Sequence, residues 1–157
     1  MIRDLLTCNQ IKIDLESSEK EECFAELLEP LVARFGQLNR REAMDALIKR
    51  EELKSTAILP NVAIPHAVVS KQLGMPAIAL GISRSGIEFE PVSSDPDEKN
   101  PIVKLIFEIF FDEDDADMHL QVLKDILQLV SNADFLNEVM NARSSQEVLD
   151  IIKFFEG

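Results

Sequence analysis

The 157-residue sequence is poor in cysteine and in positive charge, and it contains no long apolar run. Its two cysteines, Cys8 and Cys23, form neither a CxxC metal pair nor a disulfide scaffold, so we expect reduced thiols. The net charge of −13 argues against binding to nucleic acids or anionic membranes. The longest apolar stretch, 102–111, contains Lys104 and Glu108 and is too short to span a bilayer. Together with the lack of an apolar signal segment after Met1, these features predict a soluble cytoplasmic protein.

Several motifs that would indicate a particular chemistry are also missing. There is no phosphate-binding G-x-x-x-x-G-K-[ST] loop, no G-x-G-x-x-G turn and no G-x-S-x-G serine. The acidic run 112–117 lacks the glycine and the distal glutamate of a calcium loop, and the two histidines have no partners at zinc-ligand spacing. We therefore predict that the protein has neither a metal nor a cofactor.

The order of apolar patterns predicts one domain over residues 1–157 in which helices pack on a sheet, an α/β or α+β sandwich. Asn39 is placed to cap a helix over 40–53. Another helix is predicted before it, and Pro30 predicts a kink or break within that helix. The predicted strands cover 11–15, 77–83 and 102–111, with an extended segment over 58–64. Residues 86–101 are predicted to form an acidic, proline-rich loop around a short strand at 87–90. The predicted C-terminal helices cover 114–130, 135–142 and 145–155.

His66 follows Pro65 inside the apolar segment 62–69. Proline fixes its own backbone and favours an extended neighbour, so the imidazole would have few rotamers and little contact with water. Such a histidine is suited to act as a nucleophile or a base. A buried histidine satisfied by a single carbonyl group is the structural alternative.

His119 lies in the first turns of the predicted 114–130 helix, on the same stripe as Leu123, Ile126 and Val130. The strand 102–111 leads almost directly into this helix, which puts His119 near the carboxyl end of that strand. Open α/β sheets bind ligands at such ends. The alternative is a histidine that only borders the core at a helix N-terminus.

The stretch from Arg50-Glu51 through Ser55-Thr56 to Val62-Ala63-Ile64-Pro65-His66-Ala67 resembles the active-site segment of phosphotransferase-system enzyme IIA of the fructose/mannitol type. That family includes the nitrogen-regulatory IIA proteins. Its pattern is a basic–acidic pair, a Ser/Thr turn, a short loop and then A-[IV]-P-H-[GA]. Met118-His119-Leu120 fits the second histidine of the family, and the resemblance extends over nearly the whole chain.

This resemblance implies a mixed β-sheet flanked by helices on both faces, and it implies roles for five residues. His66 would accept and donate the phosphoryl group, His119 would support or polarise His66, and Arg50 would lie near the phosphoryl oxygens. Ser55 and Thr56 would form the phosphate-binding turn that leads into the site. The donor would be a histidine phosphocarrier protein, and no cofactor would be required.

One segment departs from the family pattern, and it leaves several functions open. Where the family often has a glycine-rich loop, this sequence has Ala57-Ile58-Leu59-Pro60-Asn61, which has no glycine for a positive φ and lacks one backbone donor at Pro60.

We expect a phosphohistidine carrier or regulator of the nitrogen-regulatory type, which controls a transporter or kinase. The lack of a fused IIB or IIC domain in the sequence favours this interpretation. A sugar-specific IIA that passes phosphate to a IIB protein, or a IIA-like binding module without turnover, are the alternatives. We expect an acidic surface to steer the donor protein, formed by Glu88, Glu90, Asp95 and Asp97.

Overall fold

The computed structural model describes residues 1–157 and contains five helices and five strands. The strands are β1 (Ile11–Lys12), β2 (Val62–Ala63), β3 (His66–Val69), β4 (Ala77–Glu88) and β5 (Ile102–Asp112). The helices are α1 (Lys20–Arg34), α2 (Arg40–Leu53), α3 (Ala116–Val130), α4 (Ala133–Met140) and α5 (Ser145–Glu156). Two short 3₁₀ segments, Ile2–Asp4 and Cys8–Gln10, precede β1.

The strands form one mixed sheet whose centre is the antiparallel pair β4 and β5. β1 lies parallel to β4 at one edge, whereas β2 and then β3 lie parallel to β5 at the other. Because β2 and β3 run beside the same strand, Val62 is paired with Leu105 and His66 with Ile109. His66 therefore lies toward the carboxyl end of β5, from which the chain enters α3.

Two apolar cores separate the sheet from its helices, one on each face. Strand residues alternate between the two cores, as the two-residue period of a strand requires. Along β5, Phe107, Ile109 and Phe111 face α3, α4 and α5, whereas Ile106 and Phe110 face α1 and α2. The prediction of an α/β fold with a mixed sheet and helices on both faces is confirmed.

The helix α2 begins and ends where the sequence indicates, because its cap is local. The side chain of Asn39 accepts a hydrogen bond from the amide of Glu42 at 2.9 Å. At α5, Ser144 accepts one from the amide of Glu147 at 3.0 Å. The predicted break at Pro30 is wrong: α1 is a single helix through this residue. Tertiary packing explains the difference, since Leu27, Leu28 and Leu31 around the proline are buried.

The strand predictions were less accurate where the sheet continues through an irregularity. The predicted strands 77–83 and 87–90 form one strand, β4, with a shift in its pairing to β5 between Ile82 and Ile87. Gly86, with φ of 88°, lies in this shift. β1 covers only Ile11–Lys12 of the predicted 11–15.

None of the five helices combines the length and the apolar character that are needed to span a membrane.

Candidate functional site

His66 is the first residue of β3, and its ring is fixed by the main chain. Its Nδ1 atom lies 2.8 Å from the carbonyl oxygen of Ile64. Because a carbonyl oxygen can only accept a hydrogen bond, Nδ1 must carry the proton, and Nε2 keeps its lone pair. The carbonyl partner considered in the sequence analysis is therefore present, but it satisfies only one of the two ring nitrogens.

His119 lies next to His66, although it comes 53 positions later in the sequence. The ring centroids of the two imidazoles are 5.4 Å apart, and their planes are inclined by 78°. The His119 ring is stacked on Phe111, with centroids 4.2 Å apart and planes inclined by only 12°. The structure thus brings both sequence-predicted histidines to the carboxyl end of β5.

The surroundings favour the neutral form of both imidazoles. Burial lowers the pKa of His66 below its usual 6.5; the hydrogen bond to Ile64 opposes this shift, whereas the positive charges of Arg50 and His119 add to it. Burial also lowers the pKa of His119, and Arg50 lowers it further. Near pH 7 the site thus presents an unprotonated nitrogen in the field of a fixed cation.

Arg50 comes from the last turn of α2 and is held by a carbonyl group of its own helix end. Its guanidinium donates a hydrogen bond to the main-chain oxygen of Lys54 at 2.9 Å. It forms no ion pair with any carboxylate. Its charge is near enough to lower the pKa of both histidines, so it is available to an incoming anion.

Ser55 and Thr56 are buried in the turn between α2 and β2, and their hydrogen bonds define that turn. Thr56 donates its amide and its hydroxyl to the carboxylate of Glu51, at 2.9 and 2.7 Å. The Ser55 hydroxyl oxygen accepts the amide of Ala57 at 3.2 Å. The carbonyl of Thr56 accepts the amide of Ile64 at 3.1 Å. A continuous chain of bonds thus links Glu51, through Thr56 and Ile64, to His66.

The loop that departs from the glycine-rich pattern achieves its turn with asparagine. Asn61 has φ of 67°, in the left-handed region that asparagine tolerates better than most residues. Its carbonyl accepts the amides of Lys104 and Leu105, both at 2.9 Å. The connection to β2 therefore closes without glycine.

Sequence reasoning did not assign a role to Glu51 or Phe111, both of which support the site. Glu51 is part of the basic–acidic pair that the resemblance includes, so a signal for it was present. Phe111 gives no such signal, because an apolar residue at the end of a buried strand is expected in any α/β protein. No cluster of three or more His, Cys, Asp or Glu side chains is arranged to hold a metal ion.

Comparison with known proteins extends the likeness over almost the whole chain. Residues 4–154 match the family described as phosphoenolpyruvate-dependent sugar phosphotransferase system, EIIA 2. A fructose-specific EIIABC component from Bacillus subtilis is 34% identical over 152 residues, which are 96% of this chain and 23% of that protein. The chain thus spans about a quarter of the length of that relative.

Solved structures show the same fold. The nitrogen regulatory protein IIA-Ntr from Neisseria meningitidis has a TM-score of 0.82 and 27% identity, over 96% of this chain and 98% of that one. The mannitol IIA of Escherichia coli, solved in complex with phosphorylated mannitol IIB, has a TM-score of 0.75 and 19% identity over 95% and 97% of the two chains. The match of the family to nearly every residue shows that this chain belongs to the EIIA 2 family of the phosphoenolpyruvate-dependent sugar phosphotransferase system.

Proposed function

We propose that the protein is a phosphoryl carrier that accepts a phosphoryl group on Nε2 of His66 from a histidine phosphocarrier protein in the cytoplasm. The observation that carries this proposal is the hydrogen bond from Nδ1 of His66 to Ile64, at 2.8 Å, which leaves Nε2 unprotonated. A neutral imidazole nitrogen held in one orientation is the nucleophile that such a transfer needs.

The transfer needs no proton to move between the donor imidazole and His66. The bond between phosphorus and the donor imidazole breaks, with its electron pair left on the donor nitrogen, while the lone pair of Nε2 forms the new bond in line. The Nδ1–H group of His66 remains on the Ile64 carbonyl throughout. Arg50, which has no carboxylate partner, would stabilise the negative charge on the phosphoryl oxygens. His119 would donate a hydrogen bond to one of these oxygens.

The geometry supports a positioning role for Thr56, because both of its donors are bonded to Glu51. Ser55 accepts a hydrogen bond through its oxygen, so its hydroxyl proton is free for another partner. We therefore propose that Thr56 shapes the turn, and that of these two residues only Ser55 could contact the phosphoryl group.

Exposed apolar side chains lie within two residues of each histidine in the sequence and suit a protein partner. Val68 on β3 is 48% exposed, and Met118 and Leu120, on either side of His119, are 45% and 69% exposed. The acidic residues next to this face are Glu113, Asp114, Asp115 and Asp117. Those expected to steer the donor lie elsewhere, since Glu88 is paired with Ile102 at the opposite end of β5. We propose that the 113–117 cluster attracts a donor with basic residues, so raising the salt concentration should slow phosphorylation.

Two destinations for the phosphoryl group have support. The first is regulatory, as in the nitrogen-regulatory proteins, where the phosphorylation state would control a transporter or kinase. The similarity to the Neisseria structure supports it. The second is transfer to a IIB protein of a fructose or mannitol system, which the 34% identity to the Bacillus subtilis fructose component favours. Transfer onward to a purified fructose-type IIB would favour the second destination, and its failure with a competent IIB would favour the first.

The test of the proposal is phosphorylation by phosphoenolpyruvate, enzyme I and the histidine phosphocarrier, followed by intact-mass measurement. We expect one acid-labile phosphoryl group on the wild-type protein and none on the His66→Ala variant. His119→Ala is the matched control, because it removes the neighbouring imidazole and leaves the acceptor, so it should be labelled more slowly. An unlabelled wild-type protein, folded and with an active donor, would contradict the proposal and favour a binding module without turnover.

A further inference from the structure

Phe111 is the last apolar residue of β5, and it is the one side chain that forms ring contacts with both histidines. It is 1% exposed. Its ring lies parallel to His119 at 4.2 Å and is edge-on to His66 at 6.4 Å, with planes inclined by 77°. The π-face of an aromatic ring attracts a cation within about 6 Å. Phe111 is therefore placed to affect the charge state of His119.

No hydrogen bond fixes the His119 ring, and its contact with His66 is edge-on, with centroids 5.4 Å apart. The causes that shift its pKa are burial and the charge of Arg50, and no hydrogen bond is among them. By contrast, the His66 ring is fixed by the Ile64 carbonyl. Stacking on Phe111 is thus the contact that sets the plane of the His119 imidazole. This contact covers one face of the ring and leaves its nitrogens, which lie on the ring perimeter, free to donate.

We propose that Phe111 is a positioning residue for phosphoryl transfer: it holds the His119 ring beside His66 and stabilises the protonated His119 that forms when His66 carries the phosphoryl group. This inference rests on the proposed function. A phosphoryl group on His66 carries about two negative charges, and it would place them beside His119. His119 would then take up one proton from solvent, and its imidazolium would lie between the phosphoryl oxygens and the face of Phe111.

The other charged groups around His119 favour or oppose its protonation. Arg50 from α2 opposes the positive charge, and His66 from β3 is neutral before phosphorylation. The N-terminus of α3 also disfavours an imidazolium. The carboxylates of the turn and the first turn of α3 are exposed, so solvent screens their charges, and none of them is among the causes that shift the pKa of His119: Glu113, Asp114, Asp115 and Asp117. In this balance the aromatic face is the favourable contact that touches the ring itself.

The decisive variant is Phe111→Leu, which keeps an apolar neighbour but removes the π-face. NMR titration of the His119 ring, in the unphosphorylated and the phosphorylated protein, measures its pKa in each state. We expect the equilibrium constant for protonation of His119 to fall about three- to tenfold in the variant. The rate of phosphorylation should fall by a similar factor, with the largest loss at the higher end of the pH profile.

Phe107→Leu is the matched control. Phe107 is fully buried on the same face of β5, but it makes no ring contact with either histidine. This control should lose core packing without changing the pKa of His119 or the pH profile. Phe111→Ala separates the two effects of the ring, because admitting water should raise the pKa of His119 while the ring loses its fixed plane.

The proposal is overturned if Phe111→Leu folds and leaves both the pKa of His119 and the pH profile as in the wild-type protein. It is also overturned if the pKa of His119 in the wild-type protein does not rise on phosphorylation. Failure of the proposed function is a different result: the wild-type protein would then accept no phosphoryl group, which is seen before any variant of Phe111 is compared.

Discussion

Two carboxylates on β5 occupy opposite environments, although only three residues lie between them. Asp112, at the strand end, accepts the amides of Gln72, Leu73 and Gly74 at 2.9, 2.9 and 2.7 Å. Glu108, in the middle of the strand, is fully buried, and neither of its oxygens has a hydrogen-bond partner. Asp112 fastens the loop that follows β3, whereas Glu108 contributes no polar contact.

The two environments shift the pKa values in opposite directions. Burial raises the pKa of Glu108 well above its usual 4.5. Burial alone would also raise the pKa of Asp112, but the three amides and the charge of Lys71 hold it below its usual 3.8. Burial therefore does not determine the cost of a carboxylate in this sheet; the donors that surround it do.

The largest expected effect is the loss of the Asp112 carboxylate. Asp112→Ala should lower the free energy of unfolding by about 3–5 kcal/mol, because three amides lose a charged acceptor. Urea denaturation at pH 7 measures this loss. Asp112→Asn is the control, since it retains one carbonyl oxygen and should lose less. Equal stability of the alanine variant and the wild-type protein would mean that water replaces the carboxylate without cost.

The stability of the protein should depend on pH in opposite ways through the two carboxylates. The pKa of Asp112 is depressed in the folded protein, so its contribution is present above pH 3.8 and is lost as the pH falls through the folded value. The pKa of Glu108 is raised, so its contribution is full below pH 4.5 and is lost as the pH rises toward the folded value.

Relative to Glu108→Gln, the wild-type protein should therefore lose up to about 1.4 kcal/mol of stability per pH unit above pH 4.5. Relative to Asp112→Asn, it should gain stability as the pH rises from 2 to 4. Denaturant titrations at several pH values test both slopes. Slopes of the same sign would contradict the comparison.

Glu108→Leu should stabilise the protein by about 2 kcal/mol at pH 5, because an apolar side chain replaces a buried polar group that lacks partners. The neighbouring core residues Ile106 and Phe110 lie on the same face, so the replacement extends an existing apolar surface. A thermal or urea melt measures the gain. A loss of stability would show that Glu108 has a polar partner that compensates for its burial.

Glu51 sharpens the comparison as a third buried carboxylate, one that is bonded to Thr56 near the site. Thr56→Val removes the hydroxyl bond but keeps the amide, and should cost about 1 kcal/mol. Thr56→Ser keeps the hydroxyl and serves as the control. Phosphorylation of the valine variant should be slowed severalfold if the turn positions His66, and an unchanged rate would restrict Thr56 to a role in stability.

Much of this architecture could be predicted from the sequence where the signals are local. The cap at Asn39 depends on the residues next to it, and the pattern of apolar residues gives β5 and α3 almost at their observed bounds. The continuity of α1 through Pro30 and the union of two predicted strands into β4 depend on packing from distant segments. Local preferences carry no information about such packing.

Some features of the candidate site could likewise be predicted from local sequence, whereas others depend on distant segments. His66 and His119 could be identified as candidates from their segments, but their proximity depends on the pairing of β3 with β5 and on the turn into α3. Arg50 was predicted to lie near the site only through the family resemblance, since spacing does not bring it there. The stacking of Phe111 on His119 and the isolation of Glu108 could not be foreseen, because both depend on which face of β5 meets which partner.

The bond between His66 and Ile64 has a consequence for how this site can vary during evolution. The carbonyl group that fixes which nitrogen of His66 carries the proton belongs to the main chain, so every amino acid at position 64 supplies it. Substitution of Ile64 can alter packing but cannot delete the acceptor. Under the proposed function, the identity of the accepting nitrogen is therefore robust to mutation at position 64.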